Sequence, residues 1–506
     1  MRESTHRFAT FSVAASVWLG VGASHADSLR KETGLTHWDK DLAYEGYTLF
    51  GADANKTAYL VDMEGNVVNF WRGSGIHPRF LDNGHLMDTP DDDDFSNTIF
   101  EMDWEGNVVW SYTDTREDYV THHDWARIIN PKLGEPTTLY LANRAVTHEE
   151  CIALGCDPAN GPYDGAQVDT VVEIDMAGNI LWEWRFIDHL IQDIDPTKAN
   201  YVGEGKTIAD YPGRLNANLP GNPIRRDWLH LNGMDYNQRL DQIVFDTVQG
   251  EVYIIDHGNT FVPGDSDASM ALAAGEKGDI LYRFGDPARY RQGDPPSVLE
   301  HWISSTPGHK QIGGVHDSQW IDDGLPGAGH LLMINNGQYL FERTPQSYIF
   351  EVNPYLDGSG NDTGAYVNPP DAGYYIWEPA RSSHKLPKNM SNQIAWIYSA
   401  KSGQNFFSHI GGGAERLPNG NTLITAETEG QIFEVTAEGA LAWEFINPVM
   451  LDRQAGTPVE IVDVVIDAPP VSNPVFKAFR YSADHPALVG RDLAPKGTIK
   501  EIGLNN

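Results

Sequence analysis

The stretch VEIDMAGNILWEW, residues 172–184, carries two apolar-polar alternating runs separated by Gly178-Asn179. Alternation with period 2 is the pattern of a half-buried β-strand, and a Gly-Asn pair between two such runs is a hairpin turn that needs φ > 0. The segment Gly-Asn-apolar-apolar-aromatic-x-aromatic recurs at 65–71 (GNVVNFW), 106–112 (GNVVWSY), 178–184, 278–284 (GDILYRF), 392–398 (NQIAWIY) and 439–445 (GALAWEF). The first copy is shifted, with Asn69 where the others carry an aromatic. An apolar-acidic strand precedes most copies, as in 59–65 (YLVDMEG), 99–106 (IFEMDWEG) and 432–439 (IFEVTAEG). The closest copies begin 41 and 47 residues apart, which matches the ~40–50 residues of a four-stranded propeller blade.

A second element follows five of the copies: a histidine, a strand, a turn and another strand. It begins at His77, His123, His230, His316 and His409. A blade therefore reads as a histidine-led inner strand, a turn, two middle strands and the aromatic outer strand. The sixth blade lacks the histidine unit, and residues 47–71 are expected to supply its strands, with C-terminal residues closing the ring against them. The fold class is all-β, a six-bladed β-propeller. Residues 47–506 form one propeller domain after a lead segment, 27–46. Closure by radial repetition limits unpaired sheet edges. The extra length lies between Trp184 and His230, between Phe284 and His316, and at 353–389. The first two insertions enter at the histidine end of an inner strand and are expected to project over one face of the ring, where long loops carry function.

The 506 residues hold 36 Lys+Arg against 71 Asp+Glu, a net charge of −35, with 41% hydrophobic residues. That composition belongs to a folded globular protein and excludes disorder and collagen. So acidic a surface repels phosphate backbones, and no clustered Lys/Arg offsets it, so nucleic acid is not an expected partner. An anionic substrate would need a locally positive site.

Residues 1–26 read as a signal peptide: Arg2 and Arg7, an apolar run over 8–23, then Ser24-His25-Ala26 as a small-x-small cleavage site. The run is short of the ~20 apolar residues of a spanning helix, so the expected location is periplasmic or secreted, with no membrane span. Cys151 and Cys156 are the two cysteines, and in an exported chain such a close pair is expected to oxidise into a loop staple. The spacing is not C-x-x-C and no second pair exists for zinc.

Inner strands line a propeller's channel, so histidines at one phase of five blades are expected to converge at one end of it. An imidazole there has three uses: metal ligation, proton transfer or nucleophilic attack. Composition does not choose among them.

The run DWLHLNGMDYN (227–237), the run GGVHDSQWIDDG (313–324) with MINNG (333–337), and the run FFSHIGGGAERLPNGNTLI (406–424) resemble the three site-bearing segments of bacterial aryl-sulfate sulfotransferases, which are periplasmic six-bladed propellers. FKAFRYSADHPALVGRDL (476–493) resembles that family's tail. The resemblance implies ping-pong sulfuryl transfer from an aryl sulfate to a phenol, without a nucleotide donor and with no cofactor required for the chemistry. It implies His409 as the nucleophile, with His230, His316 and Arg343 binding the equatorial oxygens and protonating the leaving phenolate. Arg416 or Arg381 are alternative cations should Arg343 stand too far from the sulfur. Asn232, on the strand face of His230, is expected to support these donors, and His123 and Asn336 join the substrate-binding set. Tyr339, Phe406 and Phe407 are expected near an aryl ring, on which they would stack.

His122-His123 opens an inner strand, so one ring should face the channel and the other pack between blades; for His123 a general-acid or substrate-contacting role and a structural one both stay open. For His77, followed by Pro78, a structural role is expected. Asp88 and Asp91 to Asp94 cluster hard oxygen ligands of the kind calcium takes, without EF-hand spacing, which leaves a structural calcium open. The expected partners are a small aryl sulfate and a phenol; the oligomeric state is not legible. The competing functions are a propeller lyase acting on an anionic polysaccharide, a sulfate-ester hydrolase, and a non-enzymatic binding propeller.

Overall fold

The computed structural model describes residues 30–75, 77–89, 97–159, 166–219, 224, 227–293, 310–336, 347–375, 390–400, 406–450, 460–466 and 473–504. The leader at 1–26, the acidic run at 91–94, Tyr339, Arg343 and Arg381 lie outside the described residues. Six antiparallel sheets form a six-bladed β-propeller. Counted from the N-terminus, blade 1 holds Tyr47–Ala52, Thr57–Val61 and Val67–Arg72, and blade 2 runs from Arg79–Phe80 to Val108–Thr113. Blade 3 spans Tyr119–Asn130, Glu135–Val146, Ala166–Asp175 and Ile180–Arg185. Blade 4 spans Leu231–Asn237 to Tyr282–Phe284, blade 5 spans Val315–Trp320 to Ile394–Tyr398, and blade 6 spans Gly413–Arg416 to Leu441–Ile446.

Both ends of the chain close the ring. Ala478–Tyr481 is the innermost strand of blade 1, with Tyr47 opposite Tyr481 and Phe50 opposite Ala478. Gly34–Trp38 adds a fifth strand outside blade 6, against Leu441–Ile446. These pairings cover edges that would otherwise expose unpaired backbone groups.

The repeated aromatic residues bind blade to blade. Trp71 donates its indole N–H to Asp103 O (3.0 Å), Trp110 to Met176 O (2.9 Å), Trp184 to Gly278 O (2.7 Å), Trp396 to Ala437 O (2.9 Å) and Trp443 to Met63 O (3.0 Å). In blade 4 the Tyr282 hydroxyl donates to Gln393 Oε1 (2.9 Å). Each acceptor lies just ahead of the next blade's outer strand, so one large ring fills the gap between two sheets and places its polar tip on a partner. The shift in the first copy follows from this: blade 1 reaches its neighbour with Trp71, and Asn69 donates beside it to Trp104 O (3.0 Å). The turn residues behave as their sequence requires. Gly106 and Gly178 have φ of +86° and +85°, and Asp103 and Asp175 each accept the backbone N–H of the Asn that follows, at 2.8 Å.

Acids on the inner strands perform the corresponding task around the channel. Asp124 accepts Met234 N–H (3.1 Å), Asp235 accepts Trp320 N–H (2.9 Å), Asp317 accepts Ala414 N–H (3.1 Å) and Glu415 accepts Arg480 N–H (2.8 Å). Each bond runs from one blade to the next and satisfies a buried donor that the sheet ladder leaves over.

A buried ion triad joins blades 3 and 4 away from the channel. His257 places Nδ1 2.6 Å from Asp241 Oδ1 and Nε2 3.0 Å from Glu173 Oε2. Burial opposes charge on this ring, but the two carboxylates outweigh it and raise its pKa from 6.5 to about 9. A raised folded-state pKa adds stability that is fully present below the unfolded value and disappears as pH rises through the folded one. The shift corresponds to something on the order of 3 kcal/mol. The thermal midpoint is therefore expected to fall between pH 7 and 10, and a His257→Gln variant is expected to start lower and lose this part of the pH dependence.

The first insertion pairs Leu190–Ile191 in parallel with Leu215–Asn216 and builds a small apolar cluster from Ile191, Val202 and Ile208. Cys151 and Cys156 are joined in a disulfide beside the helix His148–Ala153. Among the described residues, no helix is long and apolar enough to cross a membrane.

Candidate functional site

The channel end at which the inner strands of blades 3, 4 and 5 begin is irregular in the same way in all three. Pairing with the second strand slips between Thr121 and Trp125, between Leu231 and Gly233, and between His316 and Gln319. At or beside these bulges His123, His230 and Asp317 adopt φ of +55°, +53° and +54°. A left-handed conformation costs a non-glycine residue roughly 1–2 kcal/mol, and bulges re-aim side chains at functional sites. Here they turn side chains of three successive blades toward one point.

Phe476 occupies that point. It belongs to the segment just ahead of the closing strand Ala478–Tyr481, and its buried ring stands edge-on to His77 at 4.2 Å between centroids. The rings of His123 and His316 are 6.1 and 6.0 Å from it. His123 Nε2 lies 2.7 Å from His230 Nε2, and His230 Nδ1 lies 2.8 Å from Asp227 Oδ1. His122 turns toward Asp169, with Nε2 3.1 Å from Oδ1, while its ring stays 5.6 Å from that of His230. The doublet thus divides as its position suggests, one ring toward Phe476 and one toward the neighbouring sheet. His77, expected to be structural, joins the cluster, and neither of its buried ring nitrogens has a hydrogen-bond partner among the described residues.

Beneath the histidines, Lys477 inserts its ammonium between two buried carboxylates, 2.7 Å from Asp124 Oδ2 and 2.8 Å from Asp317 Oδ1. Arg79 stands 3.6 Å from Asp124 Oδ1. Burial works against the charge of Lys477, and Asp124 and Asp317 more than offset it, so its pKa lies above the ordinary lysine value. Burial alone would raise Asp124, yet Lys477 and Arg79 hold its pKa far below the carboxylate range. The cations under the site are therefore matched by acids. Burial lowers the pKa of His77 and His316 to about 3 and that of His123 well below 6.5, the last with help from His230. At neutral pH these three rings are uncharged, each presenting one N–H and one lone pair.

His316 is locked into a defined tautomer. Asn336 donates both amide hydrogens, to Ser408 O and Gly411 O at 2.8 Å each, so its Oδ1 must accept from His316 Nδ1 at 2.7 Å. His316 Nε2 then accepts the Gly411 N–H at 3.2 Å. Both nitrogens thus grip the loop 406–412, on which His409 stands exposed with its ring 6.4 Å from Phe407. The glycines after His409 are a packing requirement. A Cβ on Gly411 would lie 1.1 Å from Glu427 Oε2, and one on Gly412 would lie 2.4 Å from Thr425 O. Desolvation holds the pKa of His409 below the ordinary imidazole value.

Several sequence expectations change. His230, His316 and Asn336, expected to bind the sulfuryl oxygens or the substrate, instead engage Asp227, His123, Ser408, Gly411 and one another. Asn232 does not support the His230 donors: its amide donates to Val315 O at 2.7 Å and ties blade 4 to blade 5, because the slip at Leu231 turns it away. Arg416 does not stand in for Arg343 at the site. It lies at the far end of its inner strand and binds Glu351 (2.8 Å), Pro326 O (3.0 Å) and Thr422 Oγ1 (3.2 Å) between blades. Four of the five expected histidines therefore gather around Phe476 or its neighbour His230, with His409 on the adjoining loop. Phe476, Lys477 and Asp124 were not picked out from sequence. The one available signal was a lysine set among apolar residues in the tail, VFKAF at 475–479, since an isolated lysine flanked by buried positions needs a buried counter-ion.

The family model described as Arylsulfotransferase (ASST) matches residues 32–353 of the chain. No curated protein matches it. Among solved structures, the chain is similar at 10% identity to a protein of unknown function from Bacteroides caccae, covering 86% of this chain and 98% of that one with a TM-score of 0.38. It is also similar at 10% identity to the β-propeller domain of Myceliophteria thermophila Cps50 (Swd1), with 84% and 88% covered and a TM-score of 0.32. Streptogramin B lyase matches at 9% identity, with 83% and 73% covered and a TM-score of 0.27.

Proposed function

Because this chain belongs to the arylsulfotransferase (ASST) family, we propose that it moves the sulfuryl group of an aryl sulfate to a phenol in two steps through a sulfohistidine, without a nucleotide donor. The observation that supports this most is the loop carrying His409, fastened by His316 and Asn336 beside a cluster of neutral imidazoles. In the first step a ring nitrogen of His409 attacks sulfur, the S–O bond to the aryl group breaks, and the departing phenolate takes a proton. In the second, an acceptor phenol gives up its proton, attacks the same sulfur, and the S–N bond breaks.

A nucleophilic imidazole must be unprotonated, and the lowered pKa of His409 keeps it so at neutral pH. Charge in the transition state spreads over the peripheral sulfuryl oxygens, which fixed N–H donors and a cation stabilise in a dry site. Arg343 supplies the cation, with Phe407 beside the aryl ring, while His316 and Asn336 hold the loop. The leader at 1–26 would deliver the enzyme outside the cytoplasm, to a periplasmic or secreted location.

The purified chain is expected to release 4-nitrophenol from 4-nitrophenyl sulfate, and added phenol is expected to accelerate release while phenyl sulfate accumulates. Release that ignores phenol would point to a hydrolase. No release from any aryl sulfate would overturn the assignment.

A further inference from the structure

The proton exchanged with the substrate oxygen has a path in this structure that does not end at His230. Asp227 is an acceptor as a carboxylate, so His230 Nδ1 carries the hydrogen in their 2.8 Å contact. A neutral His230 then has only a lone pair on Nε2. In that state the hydrogen in the 2.7 Å contact between the two Nε2 atoms belongs to His123. His123 is in turn neutral, which leaves its Nδ1 as a bare lone pair, and that atom is buried with no hydrogen-bond partner among the described residues. Both nitrogens of His230 are engaged, one by Asp227 and one by His123. The left-handed backbone at both histidines holds the two rings against one another.

We propose that His123 is the catalytic residue that gives a proton to, and takes it from, the substrate oxygen, through Nδ1, with His230 and Asp227 behind it as a relay. This rests on the transferase reading. The relay takes up one proton from water as the anionic ester binds, so that His123 carries hydrogen on Nδ1 and His230 carries it on both nitrogens. When the S–O bond breaks, the Nδ1 hydrogen moves to the aryl oxygen and the Nε2 hydrogen of His230 returns to His123 Nε2. The acceptor reverses the sequence: the phenol hydrogen moves to His123 Nδ1, the Nε2 hydrogen passes to His230, and the new O–S bond forms as the S–N bond to His409 breaks. One proton leaves and one returns per cycle. The arrangement follows the logic of a base oriented by a carboxylate, lengthened by one imidazole.

A general acid matters most for a poor leaving group, and its loss costs about 10²–10⁴-fold. Single-turnover phenol release is compared for 4-methylphenyl sulfate, a poor leaving group, and 4-nitrophenyl sulfate, a good one. His123→Gln is expected to slow the first by about 100-fold or more and the second by less than about 10-fold. Equal slowing of both esters in an active His123→Gln variant overturns the relay, as does a leaving-group dependence that appears in His230→Gln and not in His123→Gln. A wild-type chain that consumes neither ester overturns the transferase reading itself. Should His123→Gln fail to fold, the wild-type protein labelled with ¹⁵N-histidine decides: one hydrogen resonance coupled to ring nitrogens of two histidines is expected, and two independent imidazole spectra overturn the relay.

Discussion

Replacing Lys477 by methionine is expected to destabilise the folded chain by about 3–5 kcal/mol, the cost of leaving buried charge uncompensated when one partner of a buried pair is removed. The lysine is almost wholly buried and lies within 2.8 Å of both Asp124 and Asp317. Its removal leaves two carboxylates facing each other, with Arg79 3.6 Å from Asp124. Methionine keeps most of the volume, so the loss reports charge rather than a cavity. The pH dependence gives the sign. A depressed carboxylate pKa, as Asp124 has in the native protein, contributes stability above the unfolded value that is lost as pH falls through the folded one. Without Lys477 that pKa rises, a carboxylate takes up a proton more readily, and the gap between variant and wild type should narrow from pH 7 toward pH 5. Urea unfolding midpoints at the two pH values check both the size and the trend. A variant within about 1 kcal/mol of wild type would mean the ion triad does not hold the C-terminal segment in the channel.

The second large effect concerns His409. His409→Ala is expected to abolish phenol-dependent sulfuryl transfer, with a loss of at least about 10³-fold in kcat, because removal of a covalent nucleophile takes the whole two-step path with it. The wild-type chain mixed with ³⁵S-labelled aryl sulfate and no acceptor should retain label after alkaline denaturation and lose it in acid, as an N–S bond does. The alanine variant should retain none. His409 is exposed on its loop, so this substitution should leave the urea midpoint nearly unchanged, unlike His316→Ala, which removes both loop contacts at 2.7 and 3.2 Å. Label retained in His409→Ala would move the nucleophile to another ring.

The physical origins of the fold and of the site explain how far each was readable. Period-2 alternation, Gly106 and Gly178 at positive φ, and an aromatic residue that must reach the next blade are all demands made by a few consecutive residues on their own surroundings. Such demands recur in every blade and leave a repeat. The contacts between site residues have no repeat. Asn232 was misplaced because one slipped residue pair turns it from the channel to Val315, and a slip of one residue exchanges the two faces of a strand. Arg416 shares a strand with Gly413, which packs on Asp317, yet lies at the opposite end and meets Glu351. Strand spacing says which face a residue occupies but not how far along the channel it sits.

By itself the sequence determined the all-β class, the count of blades, their order, and the histidines that begin the inner strands, since these follow from local geometry repeated along one chain. Only the tertiary structure decided that Phe476 and Lys477 fill the centre of the cluster, that His77 belongs to it, and that Asp227, His230 and His123 stand in line. Those contacts join residues separated by up to 399 positions, as His77 and Phe476 are (476 − 77). They exist because closing the ring with its last strand brings the C-terminal segment into the channel, and no local preference of either residue encodes that encounter.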